Sequence, residues 1–138
     1  MTASIHFDRG EYEKAIFWFG ESDIDLLSNE NQEAYSFRLA YSLLQNGDKA
    51  KARNYFTRIQ QIGTTYNAAS TYYLAYLDYA DGNYEKALSG FTRLKEQKEF
   101  GLQSRYYITQ IYFIQNKFDR VIKEGEDFEV IKKYVDEE

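Results

Sequence analysis

Cysteine and proline are both absent from the 138 residues of this chain. Without cysteine there is no disulfide, no thiolate metal ligand and no thiol nucleophile. Without proline, no position is barred from helix by a missing backbone N–H. Histidine occurs once, as His6. Basic residues are in deficit, 17 against 22 acidic ones, for a formal charge of −5. A chain so charged has no bulk electrostatic pull toward DNA or RNA. The stretch 32–66 runs the other way, with five basic residues to two acidic ones, but its nearby ring, Phe56, belongs to the pattern below, and no nucleic-acid partner is expected. No apolar run approaches the length of a membrane span, so direct membrane insertion is not expected either, and the opening residues do not read as a signal peptide. What is plentiful is aromatic: 14 Tyr and 10 Phe. Tyrosine can sit half-buried with its hydroxyl in water.

The aromatics fall in a repeat. "FDRGEYEKAIFWF" (7–19) and "YADGNYEKALSGF" (79–91) share G-x-Y-E-K-A followed by Ile or Leu. A small turn residue recurs as Gly10, Gly47, Gly82 and Asn116, at spacings of 37, 35 and 34. Five residues after it stand Ala15, Ala52, Ala87 and Val121, and four beyond those Phe19, Phe56, Phe91 and Gly125. Eight before it stand Leu39, Leu74 and Ile108, followed by Ala40, Ala75 and Thr109. Glycine, and next asparagine, closes a helix in the left-handed conformation most easily. Asp48 and Asn83 follow directly and suit the cap of the next helix. A small residue one turn into that helix allows close approach of two helices, and the aromatic one turn later fills the space beside them. The unit is helix, tight turn, helix.

This pattern resembles the tetratricopeptide repeat family, carried by "FRLAYSLLQNGDKAKARNYF" (37–56), "YYLAYLDYADGNYEKALSGF" (72–91), "YYITQIYFIQNKFDRVI" (106–122) and the half-repeat at 7–19. The resemblance implies an all-α, right-handed superhelical solenoid of antiparallel helix pairs. The chain then reads as a single solenoid domain, 1–138, with units at about 1–28 (partial), 29–66, 67–100 and 101–134. It departs from the family pattern in lacking the unit-ending proline, in holding Ser36, Thr71 and Arg105 where a large residue is usual, and at Gly125, where a looser last helix is expected.

Helices are expected at about 11–20, 29–46, 48–61, 67–81, 83–97, 101–115 and 117–134. Ser28 suits the cap of the second of these, with Ile24, Leu26 and Leu27 beneath the turn. Residues 2–7 are too few for a first helix, so helix 11–20 is expected to lack its partner. The array would be a piece of a longer one with a raw N-terminal edge; the rival reading is a complete short protein that forms a homodimer through that edge, with Phe17 and Trp18 serving self-association.

No catalytic constellation stands out. His6, in a short N-terminal remnant, is expected at the surface. No H-E-x-x-H, phosphate-binding G-x-x-x-x-G-K-[ST] or G-x-S-x-G occurs in the sequence. The cluster "EGEDFE" (124–129) lacks the ligand spacing of a calcium loop and reads as a solvated helix face. No metal, cofactor or enzymatic activity is expected.

The resemblance instead places the first helices of successive units along an inner wall. Here they bring Phe37, Arg38, Tyr41, Leu44 and Gln45, then Tyr72, Tyr73, Tyr76, Tyr79 and Ala80, then Tyr106, Tyr107, Gln110, Phe113 and Ile114. Phe37, Tyr72 and Tyr106 are expected to pack one helix on the next. Tyr41, Tyr73, Tyr76 and Tyr107 suit packing and recognition equally. The expected partner-binding set is Arg38, Tyr41, Tyr73, Tyr76, Tyr79, Tyr107 and Gln110, receiving a protein or peptide. Family members that clamp the tails of heat-shock chaperones use Lys, Asn and Arg on this wall, where this chain has rings, so that specialisation is not expected. The segment "YYLAYLDYADGNYEKALSGFTRLK" looks like long bacterial members, some tied to the cell envelope. Other readings are a structural spacer or self-association segment, or an accessory domain of a larger enzyme.

Overall fold

A computed structural model describes residues 2–21, 27–62 and 64–136, with side chains through residue 127. Among the described residues eight helices follow one another: α1 (Ala3–Asp8), α2 (Tyr12–Glu21), α3 (Asn29–Gln45), α4 (Lys49–Ile62), α5 (Asn67–Ala80), α6 (Tyr84–Leu94), α7 (Gly101–Ile114) and α8 (Phe118–Asp136). The described residues are otherwise turn or loop, and the fold is all-α, built of consecutive helix pairs. Two compact units divide within α5, at Met1–Leu74 and Ala75–Glu138.

The tight turns are as the repeat demands. Gly10, Gly47, Gly82 and Asn116 have φ of 73°, 88°, 80° and 59°, and Asn116 is the one non-glycine with positive φ among the described residues. The same carbonyls are satisfied each time: the N–H of Asp48 donates to Leu43 O and that of Asn83 to Asp78 O, both at 2.8 Å. Ala15, Ala52 and Ala87, with Phe19, Phe56 and Phe91, are fully buried. Leu39, Leu74 and Ile108 on the first helices are buried as well.

Caps divide along chemical lines. The backbone N–H of Asn31 donates to Ser28 Oγ at 3.4 Å and that of Lys51 to Asp48 Oδ1 at 3.3 Å. Asn83 makes no side-chain cap, with ψ at 68°, so its carboxamide does not face the first turn of α6. Of the residues expected beneath the turn before α3, Leu27 is half-buried, while Ile24 and Leu26 lie outside the described residues.

Three expectations are corrected. A first helix does exist: the Thr2 hydroxyl accepts from Ile5 N–H and caps the six-residue α1, which packs on α2. The short cap was missed because six residues lie below the usual length of a helix, and only packing on α2 makes so short a segment worth forming. His6 is buried, not at the surface; its Nδ1–H donates to Glu11 Oε1 at 3.2 Å. That hydrogen bond, and then Lys14, holds the Glu11 carboxyl below its ordinary pKa. Gly125 does not loosen α8, which runs unbroken from Phe118 to Asp136; a single glycine costs about 1 kcal/mol in a helix interior, too little to break nineteen residues.

Candidate functional site

The aromatic residues on the first helices of each pair meet by a rule that repeats. In the first unit, the Tyr73 ring stacks on the buried Phe56 ring with centroids 5.3 Å apart, and in the second Tyr107 stacks on Phe91 at 4.9 Å. Each is thus a half-buried residue lying over the core ring of the preceding pair. Tyr41 meets Tyr73 edge-on at 5.6 Å, and Tyr76 meets Tyr107 at 6.1 Å. Tyr79 joins the second cluster, 5.1 Å from Tyr107 and 5.9 Å from Tyr84. Such T-shaped pairs bring a positive ring edge onto a negative face.

In the first unit, Tyr41 is also seated between Phe7 at 5.8 Å and Tyr12 at 5.7 Å. Burial, then the neighbouring Tyr12, raises the pKa of its hydroxyl, so it stays a neutral hydrogen-bonding group. Arg38 holds the place in α3 that Tyr73 and Tyr107 hold in later first helices. Its guanidinium lies 5.8 Å over the Phe7 ring, and its Nη1–H donates to Ser4 Oγ at 3.1 Å. The unforeseen α1 thus supplies Arg38 with a hydroxyl and a ring from within the first unit.

The expected set thus falls into two clusters, Arg38, Tyr41 and Tyr73 in the first unit and Tyr76, Tyr79 and Tyr107 in the second. All six are half-buried, as is Gln110 on α7. Phe37 packs as expected, stacked on Tyr66 at 4.7 Å and near Phe56 and Tyr73. Tyr106 does not: it is 59% exposed. At the N-terminal edge Phe17 is 60% and Trp18 43% exposed, while Phe19 is fully buried.

A buried polar cluster went unforeseen. Glu124 is 7% exposed and takes Lys95 Nζ at 2.6 Å, with Arg105 Nη1 at 3.9 Å from its other oxygen. Arg105, also buried, donates from Nε to Lys95 O at 3.2 Å and from Nη2 to Glu96 Oε1 at 2.8 Å. The solvated face expected for 124–129 is thus corrected at Glu124. The signal available was Arg105 standing where a large core residue is usual: a cation there requires a buried carboxylate. No group of His, Cys, Asp and Glu suited to a metal occurs among the described residues.

A family model for the tetratricopeptide repeat matches residues 33–62, the body of α3 through the end of α4. Two solved structures of nearly identical TPR-like repeats, from a Podosopora anserina protein described as a kinesin light chain and from a point variant of it, extend the likeness. They match with TM-scores of 0.72 and 0.73 at 16% identity, covering 96% of this chain and 72% of theirs. At that identity the likeness is one of fold. No curated protein matches the chain. Tetratricopeptide repeats generally mediate protein–protein interaction; of the clustered residues, Arg38 and Tyr41 fall within the matched segment. No helix of the described residues is long and apolar enough to cross a membrane.

Proposed function

We propose that this chain is a non-catalytic protein-interaction module whose tyrosine clusters receive a peptide or helix of another protein. The observation that carries this reading is the half-exposed state of Tyr76, Tyr79 and Tyr107 around the buried Phe91. Core packing would be served by phenylalanine; tyrosine adds a hydroxyl to a rigid ring, which loses little side-chain entropy on docking. In the first unit Tyr41 and Tyr73 offer the same chemistry beside Arg38, and Gln110 adds an amide on α7. A role in bacterial envelope assembly rests on the wording of residues 72–95 alone and belongs to this proposal. The test is a pull-down with the chain as bait, followed by titration of the captured protein. Tyr76→Ala is expected to weaken binding by about 2 kcal/mol with an unchanged helical signal. Loss of the fold, or unchanged affinity, would reassign the tyrosines to packing.

A second reading, self-association, is favoured by the exposed Phe17 and Trp18 rings at the N-terminal edge, which would form the core of a contact between copies.

A further inference from the structure

The repeat allows each exposed apolar residue to be compared with those at the same place in other pairs. Ile5 stands five residues before its turn residue, as Ser42, Leu77 and Ile111 stand before theirs. Those three are essentially fully buried, whereas Ile5 is 42% exposed. Trp18 stands eight after its turn residue, as Glu124 does. Glu124 is buried against Lys95 of the preceding second helix. The Trp18 place thus faces the preceding pair, as Glu124 shows, and the Ile5 place is covered in every later pair, whereas on α1 and α2 both stand open and apolar.

The other end shows the complement. Phe113 and Phe118 make an edge-on pair at 5.8 Å, the same pair as Phe7 with Tyr12 at 6.0 Å. Phe7 and Tyr12 close around Tyr41 of the following first helix and are half-buried. Phe113 and Phe118 are 58% and 52% exposed. Tyr106 and Ile122 are exposed likewise, although Phe37, at the place of Tyr106, is covered by Tyr66 and Tyr73 of the next pair.

We infer that copies of this chain associate head to tail, the Ile5 and Trp18 face of one against the Phe113, Phe118 and Ile122 face of the next. The Phe113 and Phe118 rings repeat the half of the contact that Phe7 and Tyr12 make with Tyr41 inside the first unit, so a second copy can complete it. A contact that joins unlike faces propagates into chains of subunits, whereas a contact through Trp18 alone closes as a dimer. In the continued repeat, Ser4 of one copy takes the place of Tyr41 between the Phe113 and Phe118 rings of the other. The apolar weight of the contact then rests on Ile5 and Trp18. This refines the self-association reading above.

Two measurements on the full chain test it. The single Trp reports directly: concentrating the protein should shift Trp18 emission to the blue and shield it from acrylamide, in step with growing mass in sedimentation. Trp18→Ser and Phe113→Ser, both at exposed sites, should each weaken the association about tenfold with unchanged helical content. The absence of native cysteine makes the second measurement clean. Ser4→Cys protein mixed with Phe113→Cys protein should be joined by a short bis-maleimide, and a variant carrying both cysteines should give a ladder. A monomer at all concentrations overturns both self-association readings. Growth in mass with Ser4→Cys protein linked only to itself, or with Phe113→Ser unchanged in affinity, overturns the head-to-tail arrangement and leaves the N-terminal dimer.

Discussion

The connection from α4 to α5 and the connection from α6 to α7 hold the same place in the repeat and solve the same problem with different chemistry. Gln60 and Lys95 each stand thirteen residues after a turn glycine, and Thr71 and Arg105 each stand eleven before the next turn residue. In the first unit the contact is neutral: Gln60 Nε2–H donates to Thr71 Oγ1 at 3.0 Å. The backbone carbonyl of Gln60 is met by Asn67 Nδ2–H at 2.6 Å. In the second unit Gly101 replaces Asn67, and a side chain there would collide, its Cβ falling 2.9 Å from Lys95 O. The donor to that carbonyl comes instead from Arg105. The guanidinium so introduced, and Lys95 beside it, are held by Glu124 of α8. One carbonyl is thus satisfied by an amide in one unit and by a buried cation in the other. The charged solution ties its cations to a carboxylate on a third helix, whereas in the first unit the third helix, through Glu33 of α3, accepts only from the backbone N–H of Tyr66 at 2.6 Å.

The largest expected effect lies on the charged side. Glu124→Leu leaves Lys95 and Arg105 facing one another without their shared carboxylate, and should cost about 3 kcal/mol in urea unfolding. Gln60→Ala, at the matched neutral contact, should cost about 1 kcal/mol. Adding Arg105→Met and Lys95→Met to Glu124→Leu, so that every charge of the cluster is replaced by an apolar side chain, should recover part of the loss. Equal costs for Glu124→Leu and Gln60→Ala would remove the distinction between the two contacts.

A smaller effect sharpens the comparison at the neighbouring position. Gly101→Ala should cost about 1–3 kcal/mol, because the methyl group meets a backbone carbonyl that cannot turn aside. Asn67→Ala loses one hydrogen bond, for about 1 kcal/mol. If Gly101→Ala were the milder of the two, the two connections would be more flexible than their contacts indicate.

The smallest effect belongs to the N-terminal pair and depends on pH. Glu11 has its pKa lowered in the folded chain by the hydrogen bond from His6, and secondarily by Lys14. A depressed carboxyl stabilises the fold above its unfolded pKa, and that contribution fades as pH falls through the lower folded value. Urea midpoints should therefore decline on acidification into and below the ordinary carboxylate range. Glu11→Gln should flatten the decline slightly, and a curve identical to that of the parent would show that the pair contributes nothing.

What the sequence determined by itself is everything that depends on local spacing. The four turn residues dictated positive φ at Gly10, Gly47, Gly82 and Asn116. The interval from each turn to Ala15, Ala52 and Ala87, and on to Phe19, Phe56 and Phe91, dictated which residues are fully buried. Helix ends followed within a few residues because a glycine-closed helix carries its boundary in its own backbone preference. The tertiary structure decided what two segments distant in sequence do to each other. It created α1 by giving Ala3–Asp8 the α2 surface to pack on, and so claimed His6 for Glu11 and Arg38 for Ser4 and Phe7. It buried Glu124, which reads as a surface acid until α6 sets Lys95 against it and α7 adds Arg105. It also left Tyr106 exposed, although Phe37 at the same place is covered by Tyr73 of α5. A periodic pattern fixes a residue's direction on its helix, but the burial of that residue is set by the neighbour that arrives there, and no single helix encodes its neighbour.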